Sequence, residues 1–350
     1  MTDMAKPSTG HKRVTIHHVA HAAKVSAATV SLVMQEKGQL SQETRNRVIQ
    51  AASTVGYERR IAGKARRRRP SSYCLVVDDI RNPYFHEIYK AICDGVDQRD
   101  TVITLISSDD SLERQAQILE NLRLLRINGL ILVPASGTRM EHLQDVADSG
   151  VPFIMAVRNI GAGNFDYIGG NPMLGMLIAA EHLVKLGHKR IAFVGGYPSN
   201  FAYHERYAGF VSTMSQHGIS IDDRLILSGG SSKAFGRQAG ATLLKSDAPP
   251  TALIGYNDLV AIGIMNAIRD NGLTPGKDVA VVGYDDIQEA SEQPVPLTTV
   301  ATPAQSLGKM VAHAMRRIIS DPQHAPINMT QPPALVVRQS CGAQQIRPGE

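Results

Sequence analysis

The sequence predicts an α/β protein in two parts: a small all-α head carrying a helix-turn-helix, and a larger core of two α/β lobes with parallel sheets. Three observations carry this prediction. Residues 1–69 hold 14 Lys and Arg against 4 Asp and Glu, whereas residues 70–350 hold 23 against 28. Between residues 15 and 56 three short stretches repeat apolar positions at helical spacing, the first two separated by a tight corner. Beyond residue 70, short β-rich runs alternate with helical stretches. A chain of 350 residues exceeds one ordinary domain, which suits the division.

Composition limits the class of protein. The content of 43% hydrophobic and 20% charged residues is that of a soluble globular chain. No apolar run approaches the roughly 20 residues of a membrane span. The first fifteen residues carry Lys6, Lys12 and Arg13 and no apolar segment ahead of a cleavage site, so no secretory signal is expected and the chain is assigned to the cytoplasm. The 3 cysteines, Cys74, Cys93 and Cys341, are odd in number and form no C-x-x-C, against a disulfide framework or a zinc site. The basic end reads as an appended module for a polyanion, either nucleic acid or an anionic membrane.

In the head, residues 14–58, Thr15 can N-cap a helix in which Ile16, Val19, Ala20 and Ala23 share one face. After the corner Lys24-Val25, Ser26 caps a second helix. Its Val30, Val33 and Met34 face inward, and Ala27, Ala28, Thr29, Ser31 and Leu32 stay outside. Lys37-Gly38 interrupts the pattern. Ser41 then caps a third helix with Glu43 in its first turn, and Val48, Ala52 and Val55 form a buried stripe that Gly56 ends. The short corner and the basic charge favour a helix-turn-helix over a generic three-helix bundle. Residues 59–71 form a basic linker that includes Arg59, Arg60, Lys64, Arg66 and Arg67. Arginines that repel one another between two domains suit a segment neutralised by phosphates.

The core occupies residues 72–345. Strands are predicted at 73–77, 102–106, 130–133, 153–157, 191–194, 252–256 and 279–284, and helices at 85–98, 111–126, 173–186, 208–216, 236–244 and 259–271. Strands this apolar, separated by helices, imply parallel sheets covered on both faces. Ligands in such sheets sit beyond the carboxyl ends of the strands.

The head sequence from Val14 to Tyr57 and the core blocks DIRNPYF, LGHKRIAFVGG, RYAGF, YNDLVAIG, VVGYDD and PLTTV together resemble the LacI/GalR family of transcription regulators, over residues 14–341. The resemblance implies a homodimer whose heads read a roughly palindromic operator in double-stranded DNA. It also implies a periplasmic-binding-protein-like core, a small-molecule effector (a sugar or derivative) between the lobes, and action as a repressor. One lobe is expected at 72–158 plus 302–322 and the other at 159–301 plus 323–341. No apolar heptads follow Val337, so a dimer is expected and not a tetramer.

In a helix-turn-helix the start of the second helix enters the major groove. The DNA-contacting residues are therefore expected to be Thr15, Ser26, Ala27, Ala28, Thr29, Ser31 and Leu32, with Arg59, Arg60, Lys64, Arg66 and Arg67 of the linker. Family members often carry long polar side chains where Ala27, Ala28 and Leu32 stand, so readout here leans on methyl contacts, Ser31, Thr29 and DNA shape. Lys24 replaces a glycine common at the corner. His17 and His21 have i, i+4 spacing, but no further ligand at matched spacing makes a metal site of them. In register with Tyr57, Arg66 occupies the position of the family's minor-groove leucine. An arginine there favours a narrow, A·T-rich groove, and the competing account is that Ile61, or a shifted register, supplies an apolar wedge.

For the effector, the family's motifs point to Tyr84 and Phe85 as an apolar wall and to Asn257 and Asp285 as hydrogen-bonding groups for hydroxyls. They also point to Arg158 as a partner for a negative group and to His204, near a position where an arginine is common. Val157, in place of the usual aspartate, and His204 weaken the case for a simple neutral hexose. No G-x-S-x-G, H-E-x-x-H or G-x-G-x-x-G after a strand occurs, and the stretch 272–277 falls one residue short of a phosphate loop. Neither enzymatic activity nor a cofactor is expected. A transport-type solute-binding module is set aside by the basic head and the missing signal segment.

Overall fold

The structure, a computed structural model, describes residues 15–34, 37, 40–55, 57, 71–96, 100–125, 127–162 and 164–343. The chain divides into two units, Met1–Arg69 and Pro70–Glu350. The linker residues Arg59, Arg60, Ile61, Lys64, Arg66 and Arg67 lie outside the described residues, as does Gly56.

In the head, α1 (Ile16–Ala23), α2 (Ala27–Met34) and α3 (Gln42–Thr54) enclose Val19, Ala20, Ala23, Val30, Val33, Val48, Ala51 and Ala52. Thr15 enters α1 with extended backbone, and its N–H donates to His18 Nδ1 at 2.9 Å, so the third helical residue reaches back to the cap as a Glu does in a capping box. Lys24 turns the corner in the left-handed region, φ 52° and ψ 47°. A side chain there costs roughly 1 kcal/mol relative to glycine. Ser26 Oγ accepts from the Thr29 N–H at 3.0 Å and Ser41 Oγ from the Thr44 N–H at 3.3 Å, which starts α2 and α3 where the sequence predicts.

The core runs β1 (Ser71–Val77), α4 (Pro83–Gly95), β2 (Thr101–Ser107), α5 (Leu112–Leu124), β3 (Gly129–Leu132), α6 (Met140–Asp148), β4 (Phe153–Val157), β5 (Tyr167–Gly170), α7 (Pro172–Lys185), β6 (Ile191–Val194), α8 (Phe201–Gln216) and β7 (Ile226–Leu227). It continues with α9 (Lys233–Leu244), β8 (Ala252–Gly255), α10 (Asp258–Asp270), β9 (Ala280–Asp285), α11 (Gln288–Ser291), β10 (Thr298–Ala301), α12 (Ala304–Ser320), β11 (Asn328–Gln331) and β12 (Ala334–Val336). One sheet has the order β11-β5-β4-β3-β1-β2, all parallel. The other has the order β12-β10-β9-β8-β6-β7, parallel except that β12 is antiparallel to β10. Every residue of β3, β6 and β8 is buried, as expected of strands covered on both faces. In each sheet the strand order reverses direction, between β1 and β3 and between β6 and β8. Doubly wound sheets leave a crevice at such a point.

The lobe boundaries need correction. β5, expected in the second lobe with residues 159–301, belongs to the first sheet, and so does β11, expected in the second lobe with residues 323–341. The chain therefore passes between sheets after β5, after β10 and after β11. α12 returns to the first lobe and lies so close to α4 that a Cβ on Gly308 would meet the Ile88 carbonyl at 2.8 Å.

Candidate DNA-recognition helix and effector cleft

On α2, Val30 and Val33 are buried, Leu32 is 39% exposed, Ala28 is exposed, and Ala27, Thr29 and Ser31 are half-buried. The outward face thus offers methyl groups and one leucine in place of long polar arms. The Thr29 hydroxyl lies 2.8 Å from Ser26 Oγ, which draws both groups into the cap of the helix. Sequence reasoning treated Thr29 as a base reader without that bond. The backbone N–H groups at the start of α2 add a positive end suited to phosphate. His17, His18 and His21 are exposed. Among the described residues no cluster of three or more His, Cys, Asp or Glu is placed to hold a metal, and no helix is long and apolar enough to cross a membrane.

In the core, the carboxyl ends of β1, β4, β8 and β9 bring Asp78, Arg158, Tyr256, Asn257 and Asp285 around a cavity of about 30 Å³ that Asn82, Tyr84, Phe85 and Arg206 also line. Val157 stands at φ 67°, and the Arg158 N–H donates to the Ala156 carbonyl at 2.7 Å, a tight turn that directs Arg158. Arg158 Nη2 meets Asp78 Oδ2 at 2.6 Å and Nη1 meets Asp110 Oδ1 at 3.0 Å. Arg206, from α8, has its guanidinium carbon 4.3 Å from the Tyr256 ring centroid and 3.8 Å from that of Tyr284, a double cation–π sandwich. Its Nη1 donates to the Tyr256 carbonyl, and its Nη2 lies 3.9 Å from Asp285 Oδ1. Asn82, the N-cap of α4, donates from Nδ2 to Asp285 Oδ2 at 3.3 Å and so ties the first lobe to the second.

Burial dominates the electrostatics. It pushes Asp78 up to about 6 against the pull of Arg158, and Asp285 up to about 6 against the pull of Arg206. Asp258, behind the cleft, is pushed up to about 7 by burial and by Asp285, while Thr299 Oγ1 at 2.5 Å and the Ile287 N–H at 2.9 Å donate to it. Burial opposes charge on Arg158, but Asp78, Tyr256 and Asp110 more than compensate and hold the guanidinium charged.

Several expected site residues take different roles. Asn257 is the N-cap of α10: its Oδ1 accepts from the Val260 N–H at 2.9 Å and its Nδ2 donates to the Ser231 carbonyl at 3.1 Å, so its polar atoms are engaged in structure although it lines the cavity. His204 is exposed and does not line the cavity, because it sits on the outer side of α8; Arg206, two residues on, is the inward residue. Arg158 lines the cavity, but two carboxylates already neutralise it, which corrects the reading that assigned it to a negative ligand group. Tyr84 and Phe85 are buried edge to face at 5.8 Å, and Thr302 Oγ1 donates to the Tyr84 hydroxyl at 3.0 Å. Sequence reasoning missed Asp78, Asn82, Asp110 and Arg206. Asp-Asp closing the apolar run of β1 and a lone arginine on the helical face shared by Ala202, Tyr203, Gly209 and Phe210 were the available signals.

A helix-turn-helix followed in the chain by a doubly wound, two-sheet core with a charged crevice at its switch points defines a ligand-responsive transcription regulator. A family model for bacterial regulatory proteins, lacI family, matches residues 15–60, and one for periplasmic binding protein-like domains matches residues 180–341. The HTH-type transcriptional regulator DegA of Bacillus subtilis (strain 168) is 30% identical over 331 residues, 94% of this chain and 98% of the relative. The maltose regulon regulatory protein MalI of Escherichia coli (strain K12) is 27% identical, covering 93% and 98% of the two chains. Among solved structures, the lac repressor dimer bound to operator and the anti-inducer ONPF aligns with a TM-score of 0.73 at 27% identity, covering 95% of this chain and 100% of that one. A CelR–cellobiose complex aligns with a TM-score of 0.70 at 26% identity, covering 94% and 100%. The chain belongs to the LacI family of bacterial transcription regulators.

Proposed function

We propose that this protein is a cytoplasmic, homodimeric repressor that acts by binding and not by catalysis. Its α2 faces and basic linkers, with Arg59, Arg60, Lys64, Arg66 and Arg67, engage a roughly palindromic operator, and a sugar or sugar derivative in the cleft sets operator affinity. Tyr84, Phe85, Arg206 and Asp285 surround that effector. The observation that carries the reading is the Asn82–Asp285 bond beside Arg206: polar groups from both lobes converge where the lobes meet. A ligand that bridges them changes the balance of open and closed core. Relatives support it, since the lac repressor structure holds operator and the CelR structure holds cellobiose.

Selection of bound sequences from random duplexes tests the DNA half. It should enrich a two-fold symmetric site. Binding to that site should weaken with salt, log K falling by about 0.9 per neutralised phosphate for each unit of log salt. No enrichment, or a slope near zero, contradicts the reading.

A further inference from the structure

The charges already placed in the cleft limit the chemistry it can accept. Arg158 is engaged by Asp78 and Asp110, and the Arg158 and Asp78 side chains are only 10% and 5% exposed. Asp110 is itself pinned, accepting from the Ser136 N–H at 2.9 Å and the Ser136 hydroxyl at 2.8 Å, so it cannot swing away from the arginine without breaking both bonds. Arg206 lies between two tyrosine rings with Asp285 alongside. Three carboxylates face two guanidiniums, so the cleft carries no excess positive charge to balance an incoming anion. The adjoining cavity of about 720 Å³, which shares Tyr84 and Asp285, adds Glu87, Asp286, Glu289 and Glu292 to its walls and no Lys or Arg among the described residues. A phosphate or carboxylate buried in these surroundings would lack a counter-charge, which is costly.

The unmatched polar atoms point the same way. Asp78 Oδ1, an acceptor, and Arg206 Nε, a donor, belong to residues lining the small cavity, and both atoms are buried without a hydrogen-bond partner. A hydroxyl can donate to the first and accept from the second. A phosphate dianion or a carboxylate can only accept, and would set lone pairs against Asp78. At about 30 Å³ the cavity holds no more than a few waters, so a sugar requires the lobes to part. They would part at the Asn82–Asp285 bond and at the rim, where the Gly137 N–H donates to the Ser199 carbonyl at 2.9 Å and Asn200 Nδ2 to Ser136 Oγ at 3.3 Å.

Resting on the effector reading above, we propose that the cleft takes an uncharged polyhydroxylated molecule, a free sugar and not a phosphorylated or carboxylated one. Asp78 and Asp110 are the specificity determinants: by neutralising Arg158 they reject anionic sugars.

Thermal-shift titrations of the full chain at constant ionic strength test this, with D-ribose, D-glucose and cellobiose beside ribose 5-phosphate, glucose 6-phosphate and glucuronate. Inorganic phosphate is titrated in parallel against the wild-type chain and the Asp110→Asn and Asp78→Asn variants. Phosphate held by the basic head is common to all three proteins and cancels in the comparison. At least one neutral sugar should give a saturable shift that its charged counterpart does not. At least one Asn variant, folded by circular dichroism, should bind phosphate about tenfold more tightly than wild type. The proposal is overturned if the wild-type chain binds a phosphorylated sugar or glucuronate more tightly than the neutral parent, or if both folded Asn variants bind phosphate no better than wild type. If no sugar of either kind binds while the Asn variants gain phosphate, the sugar reading of the cleft fails and the exclusion of anions stands.

Discussion

Single residues set the cleft's character through their neighbours. Val157 holds a left-handed φ of 67° that a β-branched side chain adopts at a cost of about 1–2 kcal/mol. Far from the cleft, His324 makes a charged contact. Its Nε2 lies 2.9 Å from Asp166 Oδ2 and its Nδ1 lies 2.9 Å from the Asp321 carbonyl, with both the His324 and Asp166 side chains nearly buried. Both ring nitrogens face acceptors, an arrangement that favours the doubly protonated imidazolium over either neutral tautomer. Burial pulls its pKa down, but the bonds to Asp166 and Asp321 outweigh this and the net shift is upward. Because the folded pKa exceeds the unfolded value, the contribution to stability is complete below about pH 6.5 and is lost as pH rises through the raised value. His324→Gln should therefore lower the core's Tm by roughly 2–6 °C at pH 5.5 and by clearly less at pH 9. Equal losses at the two pH values in thermal melts would contradict this. Sequence alone identified Asp285 at the cleft and Lys24 at the corner, since both stand in recognisable motifs. It did not separate Asn257 the cap from Asn257 the ligand contact, because an asparagine between a strand and a helix suits either role. Nor did it single out Arg206, whose inward direction depends on how α8 packs on α7 beside the Tyr256 and Tyr284 rings.

At the level of elements, the head was readable because its helices are short, periodic and capped by Ser26 and Ser41. The core strands with all-apolar runs, such as β3 and β8, were equally plain. β5 and β11 were not: Tyr-Ile-Gly-Gly and Asn-Met-Thr-Gln have neither alternation nor a long apolar run, and only their pairing with each other and with β4 makes them strands. The amphipathic α12 is hard to delimit from sequence, since its packing partner α4 lies more than 200 residues away in the chain. In register with Tyr57, the family resemblance leads to the expectation that Arg66 stands where relatives carry a leucine. Arg66→Leu should increase operator bending and relax a preference for A·T at the centre of the site, measured by gel shifts of circularly permuted operators. An unchanged bend angle would contradict this and point to Ile61, or to a shifted register, as the source of the wedge.

For the molecule as a whole, the chain carries a head that reads DNA and a core whose lobes are clasped by a few polar bonds. Any ligand with different affinity for the closed and open core must shift that equilibrium, and the shift reaches DNA only if the two head arrangements bind operator unequally. Asp285 belongs both to the clasp and to the lining of the cleft, so it is the side chain through which occupancy and closure should be linked. Fluorescence anisotropy of labelled operator, titrated with the full chain in the presence and absence of a saturating cleft ligand, measures that coupling directly. The wild-type chain should change its operator affinity by at least about fivefold when the ligand is bound, and Asp285→Asn should still bind operator but lose most of the response. Identical wild-type affinities with and without ligand, while calorimetry shows the cleft to be occupied, would contradict the account.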